Sequence, residues 1–473
     1  MQISKDTYFS KFYSQKAIVL YFILLLICSA VFINRVLPFI WIISGVLEIV
    51  LFFYFLNYLS KKWIHLSEKI FLRRIFITAL IIRVCYVIFS YFFYLKMTGQ
   101  PFEFSAGDAL FYHNFPSEIA DVGLTKAFIL AKNYRIDISD MGQPLVVATL
   151  YTIFGKVIII PRILNAILSS WMCILLYRFA NRNFGEMAAH NTAIIAMLLP
   201  NFIYYCGLHL KETNMIFLVV LFMERADYVL RGEKIKISTL IVPVLVGAFL
   251  FFFRTVLAAS LWLAFFSALI FTSRKVGGWK KRILVVFWFL IAAFFIFSGK
   301  IEKDLGDYWS ASSNNQSINM KSRADRKGGN TLSEKGSVAI FAPMILVAPF
   351  PTFVNVDGQD NQMYQNGSYV VKNIMAFFVI MALLSIIFIY KTYKYHVLLL
   401  AFVASYLGII SMSSFALSER FHLPTLPFLV LLAGFGITQI NAKRKKLFIP
   451  YLILIAIVII GWNWFKLAGR GAA

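Results

Sequence analysis

The stretch with the densest chemistry is Ser105-Ala-Gly-Asp108-Ala-Leu-Phe-Tyr112-His113. A carboxylate set among small residues, with Tyr112 and His113 one helical turn on, can take a proton from a hydroxyl or hold a cation. The same residues also read as a helix start, with Asp108 as the cap before Ala-Leu-Phe-Tyr. A second candidate is His209-Leu-Lys211-Glu212-Thr213, which follows Pro200, Tyr204 and Tyr205. Lys211 and Glu212 form either a solvated turn or a polar cluster facing Asp108 across a cavity. The third is Ser418-Glu419-Arg420-Phe421-His422-Leu-Pro424-Thr-Leu-Pro427. Arginine's planar fork suits phosphate oxygens, so Arg420, with His422 beside it, can hold a lipid phosphate, or can simply anchor the chain at headgroup level. Two arginines inside apolar stretches, Arg83 and Arg254, must face polar partners or snorkel, because bare guanidinium is costly at membrane depth. Arg83 reads as structural. Arg254, close to a surface, can serve either way.

The elements that must position these groups are set by composition. Hydrophobic residues make up 60% of the 473, and charged residues only 14%. A soluble fold of this size needs far more charge on its outside. The apolar residues come in blocks of about 17 to 24, the length a helix needs to cross a bilayer. The net charge of +24 is gathered in short turns between these blocks, such as Lys61, Lys62, Lys69, Arg73 and Arg74, and again Lys443 to Lys446. That is the positive-inside pattern, with anionic lipid as the partner, and it excludes nucleic-acid binding, which needs a basic face with interleaved aromatics. Cys28, Cys85, Cys173 and Cys206 lie within apolar blocks, so no disulfide framework or metal spacing is expected. The N-terminal apolar stretch reads as a retained helix, since no small-residue cleavage site follows it.

About thirteen candidate spans result, near 17–35, 38–60, 75–95, 158–180, 187–206, 212–230, 238–253, 256–273, 283–299, 373–391, 395–413, 424–441 and 448–466. With the N-terminus inside, every short basic turn falls on the cytoplasmic side, and 96–157 and 300–372 become long external loops. Their short apolar stretches, 144–155 and 338–353, read as helices lying in the interface, and 308–335 reads as mobile. The fold class expected is an all-α polytopic membrane protein. Its divisions are an N-terminal hairpin with basic turn (1–74), a catalytic module (75–299), an external loop (300–372) and C-terminal helices (373–473).

In this order and spacing the chain resembles the GT-C superfamily of integral membrane glycosyltransferases, near the protein O-mannosyltransferase and aminoarabinose transferase branch. The matching features are Asp108-Ala-Leu-Phe-Tyr112 in the first external loop, Phe154-Gly155 leading to Pro161-Arg162, Phe-Gly at 184–185, Pro200, Glu212, and Arg420-Phe421-His-Leu-Pro424-Thr-Leu-Pro427. They cover about 75–440. Where relatives often show Asp-Glu, this chain has Asp108-Ala109, and the two spans before residue 75 are additional.

The resemblance implies transfer of a sugar from a polyprenyl-phosphate donor to an acceptor hydroxyl on glycan, lipid or protein, with inversion by single displacement. It places the enzyme in a bacterial inner membrane with its active site facing outward. Asp108 is then the base. Arg420 meets the phosphate, helped by Arg254 or Lys211, and Tyr112, His113, Glu212 and His422 line the substrate site. No cofactor is expected; a divalent metal is not favoured, because one isolated carboxylate is a thin ligand set. Two other classes compete. An O-antigen polymerase or ligase would use the basic segment 321–335 but lacks an Asp108-type motif. A lipid-linked glycan transporter needs charges spread through its central spans.

Overall fold

The computed structural model describes residues 8–231, 237–271, 344–411 and 418–468. The apolar blocks among them are helical. An N-terminal hairpin, α1 (Lys11–Val31) and α2 (Phe39–Lys62), leads to the long α3 (Glu68–Thr98). Three short helices follow, α4 (Gly107–Val122), α5 (Ala127–Asn133) and α6 (Gly142–Phe154). Next come α7 (Ile159–Phe184), α8 (Glu186–Leu198), α9 (Pro200–Cys206), α10 (Glu212–Arg231), α11 (Ile237–Phe249) and α12 (Thr255–Phe271). The C-terminal part holds α13 (Asp360–Tyr364), α14 (Asn366–Leu384), α15 (Val397–Ser411), α16 (Glu419–His422), α17 (Leu426–Thr438), α18 (Ala442–Lys446) and α19 (Phe448–Ala468). Among the described residues there is no strand, and Val36 and Val354 form an isolated bridge.

Among the described residues, seven helical stretches are long and apolar enough to cross a membrane: α1, α2, α3, α7, α14 with its continuation to Ile389, Tyr393–Ser411 and Ala442–Leu467. The count of about thirteen crossings is therefore not established. The block at 187–206 is broken in two, the pair around Arg254 makes two short helices, and 283–299 lies outside the described residues. The stretches 308–335 and 321–335 lie outside them too. Of the two short apolar stretches, 144–155 falls in α6, while 338–343 lie outside the described residues and 345–353 are turns and irregular chain. Pro349 and Pro351 lack the N–H groups a helix there would use, and each pushes its predecessor toward extended backbone.

Burial separates the helices into a centre and a lipid-facing shell. Of its most apolar stretch, α14 buries 78%, against 28–33% for α1, α2, α3 and the Ala442–Leu467 stretch. The central post, α14, packs against α17, and α17 against α8. The hairpin is fastened to it through polar groups. Glu48 Oε2 accepts from the Ser368 amide at 2.7 Å, filling a donor left open at the start of α14. Tyr21 donates to Asn366 Oδ1 at 2.7 Å, and Asn366 donates to the Trp41 carbonyl at 2.9 Å. The backbones come close enough for this because residue 367 is glycine; a Cβ there would lie 2.6 Å from the Gly45 carbonyl.

Arg83 holds the break between α8 and α9. Pro200 has no N–H and drives Leu199 to an extended ψ of 118°, so α8 ends and α9 restarts with proline in its first turn. The last carbonyls of α8 lose their helical donors. Arg83, fully buried on α3, donates to Ala196 at 3.1 Å and Met197 at 3.2 Å, and its Nε donates to Ser169 Oγ at 2.7 Å. Its structural role is thereby explained: a guanidinium at membrane depth and two orphaned carbonyls satisfy each other.

Candidate functional site

Three of the sequence-predicted residues, from three distant parts of the chain, meet. Asp108 lies in the first turn of α4, Glu212 opens α10, and Arg420 lies on the short α16. Arg420 donates to Asp108 Oδ2 at 2.6 Å and to Glu212 Oε1 at 2.8 Å. The three differ in exposure. Glu212 is fully buried, the Arg420 side chain is one-third exposed, and that of Asp108 is 59% exposed. Asp108 does not act as a side-chain cap: the cap position is Ala106, without a side-chain bond, and the carboxylate reaches across to α16 instead. The N-terminal end of α10 favours negative charge at Glu212. Glu212 Oε2 is buried with no partner among the described residues.

Burial opposes charge on Arg420, but Glu212 and then Asp108 outweigh it and hold the guanidinium protonated well above its ordinary range. Beneath the pair lies Tyr112, buried, its phenol pushed up by burial and by the carboxylates of Glu212, Asp140 and Asp108. His209 Nε2 lies 3.0 Å from the Tyr112 carbonyl, which can only accept, so this nitrogen carries the proton. Burial lowers His209 to about 3, so it is neutral.

The other predicted residues are placed differently. Lys211 turns to Asp140 and to the Phe253 carbonyl at 3.2 Å, tying α10 to the segment before α6. Asn214 repeats the tie, donating to Gln143 at 2.7 Å. Arg254 lies over the Phe421 ring, 4.3 Å from its centroid, and donates to Tyr406 Oη at 3.3 Å. It therefore flanks the Arg420 segment. His113 is 2.8 Å from Tyr151 Oη and is held low by burial and then Lys156. His422 is buried at the end of α16.

Residues that sequence reasoning passed over complete the surroundings. Asp140 neutralises Lys211. Glu103 and Arg162 are buried together below the turn that precedes α4, and Arg162 also donates to the Pro101 carbonyl. Burial pushes the Glu103 carboxyl up to about 7, more than its own backbone amide, Arg162 and Arg420 pull it down. A cavity of about 300 Å³ opens here between Gln100, Phe102, Glu103, Ser105, Ala106 and Asp360. The signal available in the sequence was a lone carboxylate between two phenylalanines, Phe102-Glu103-Phe104.

Among the described residues no three His, Cys, Asp or Glu side chains are grouped to hold a metal ion, and Asp108 and Glu212 share a guanidinium. The arrangement can accept a proton at an exposed carboxylate beside a fixed cation. No known family model, curated protein or solved structure matches the chain.

Proposed function

We propose that the chain is a GT-C-type membrane glycosyltransferase that moves a sugar from a polyprenyl-phosphate donor to an acceptor hydroxyl. The observation that carries this reading is the meeting of Asp108, Arg420 and Glu212. In the reaction, an Asp108 oxygen takes the acceptor's hydroxyl proton. The acceptor oxygen attacks the anomeric carbon from the face opposite the phosphate, and the bond between carbon and phosphate oxygen breaks with inversion. Polyprenyl phosphate leaves with the electron pair, gaining one negative charge, which Arg420 meets.

The resting geometry adds a sequence of events. Arg420 is held by a buried carboxylate and an exposed one, and exposed pairs are the weaker. A donor phosphate arriving at the guanidinium displaces Asp108 and leaves Glu212 in place. The base is thus released only when the donor is bound. Lys211, already paired with Asp140, stays out of the phosphate site, whereas Arg254 over Phe421 stands next to it. In this reading the remaining apolar helices make up about thirteen crossings of a bacterial inner membrane, with the site outward, and the acceptor is a glycan, lipid or protein.

The test is turnover by the purified full chain with short-chain polyprenyl-phosphate sugars and a panel of hydroxyl acceptors, with release of polyprenyl phosphate as the readout. Sugar-dependent release with an inverted product is expected. Failure to cleave any such donor, together with no accumulation of polyprenyl-phosphate sugar in a deletion strain, would sink the reading.

A further inference from the structure

Arg420 owes its position to more than the two carboxylates it touches. Its neighbour Glu419 points the other way, into the protein, and is 5% exposed. There its carboxylate accepts from Asn201 Nδ2 and, at 3.4 Å, from Tyr205 Oη, both on α9. From the central post it accepts from Tyr369, and it faces the buried Lys372 ammonium one turn on. Lys372 in turn donates to the Ala348 carbonyl. A four-residue helix cannot fix its own orientation. With α9 and α14 gripping residue 419, residue 420 is presented to Asp108 and Glu212.

We propose that Glu419 is the positioning residue for Arg420, locking α16 to α9 and α14 so that the guanidinium stands between Asp108 and Glu212. Its catalytic meaning rests on the reading that Arg420 takes the donor phosphate; the positioning itself does not. Burial drives the Glu419 carboxyl up and Lys372 draws it down, so the pair is balanced as long as both are present. Removing one leaves a buried charge alone, which is strongly destabilising, whereas replacing both with apolar groups of similar volume is tolerated. The informative variant is therefore the double, Glu419→Leu with Lys372→Met, alongside Glu419→Leu alone.

The direct readout is the rate at which phenylglyoxal modifies Arg420 in the purified full chain, followed by mass spectrometry. The reagent attacks neutral guanidine, so an arginine held between two carboxylates reacts slowly. Arg182, paired with Glu224 and Asp227, serves as the internal reference. In the double variant, Arg420 should react about tenfold faster with Arg182 unchanged, the size expected when hydrogen bonds to a charged group are lost. An unchanged Arg420 rate overturns the proposal. So does a parallel rise at Arg182, which would mean that the pair supports the fold as a whole. In turnover, the same variant should raise donor KM and leave acceptor KM alone. A wild-type chain without turnover would defeat the transferase reading, and the modification rates would still decide the role of Glu419.

Discussion

One helix, α10, carries two arginine–carboxylate clusters at its opposite ends, and they are built in contrasting ways. At the Arg231 end, Arg182 bonds Glu224 at 2.8 Å and Asp227 at 2.9 Å, and Arg231 bonds Asp227 at 2.8 Å. Asn183 adds a bond to Asp227 at 3.2 Å, and both carboxylates are buried. Arg225 adds a third pair, to Glu224 Oε2 at 3.2 Å, so three positive charges answer two negative ones, and most members lie in 182–183 and 224–231, close along α7 and α10. At the Glu212 end, one arginine serves two carboxylates, one of them open to solvent, and the members come from residues 108, 212 and 420. The first cluster buries both carboxylates under a surplus of positive charge, which suits joining two helices. The second is partly exposed, and its outer carboxylate, Asp108, is open to exchange for another anion on Arg420.

If that contrast is real, the two ends should fail differently. Asp108→Asn keeps size and polarity and removes basicity, so transfer should fall about 10²- to 10⁴-fold with expression and membrane insertion intact. Initial rates beside a fluorescence size-exclusion profile measure both, and activity within about threefold of wild type would remove Asp108 from the base role. Arg420→Ala should lower donor kcat/KM about 10- to 100-fold, through a higher KM and a lower kcat, with acceptor KM nearly constant. Arg420→Lys should recover only part, because ammonium lacks the bidentate fork; full rescue would show that charge alone matters. Arg182→Ala should do the reverse, costing on the order of 3 kcal/mol of stability while the folded fraction keeps its donor KM. Thermal melting in detergent and kinetics on the same sample check it, and a large KM change would erase the distinction between the clusters.

A smaller effect concerns pH. Glu103 sits at about 7 against an ordinary 4.5, so it takes up a proton on folding between those values. The folded state then binds more protons than the unfolded one, and stability falls as pH rises through that window. Melting temperatures across it should decline, and Glu103→Gln should flatten part of the decline. The smallest change is expected from chelation: turnover should persist in EDTA, and loss restored by Mn²⁺ would bring Asp108 and Glu212 into a metal site instead.

The helical blocks were legible because apolar length and the basic turns are one-dimensional signals. Asp108, Glu212 and Arg420 could be singled out for the same kind of reason, each being a polar residue beside the end of an apolar block. What could not be read was pairing. Nothing in the sequence distinguishes Lys211, which closes on Asp140, from Arg420, which stays partly open. Glu103 and Arg162 were passed over because each looks like an isolated charge until the fold buries both. Arg254 carried the right charge, but its stacking on Phe421 depends on how α12 meets α16.

The Arg83 bonds also set an order of manufacture. Translation delivers α3 well before α7 and α8, yet the guanidinium on α3 is satisfied largely by Ser169 on α7 and by the end of α8 that Pro200 leaves open. Until those helices arrive, α3 must enter lipid with that charge uncovered, at a cost of roughly 2.5–3.5 kcal/mol on insertion scales, and before α8 it is covered only in part. Chains released after Gly185 should therefore hold α3 in the membrane less completely than chains released after Gly207, and Arg83→Leu should abolish the difference. An insertion assay on the two truncations would show whether α3 settles in the membrane only once a helix made after it is present.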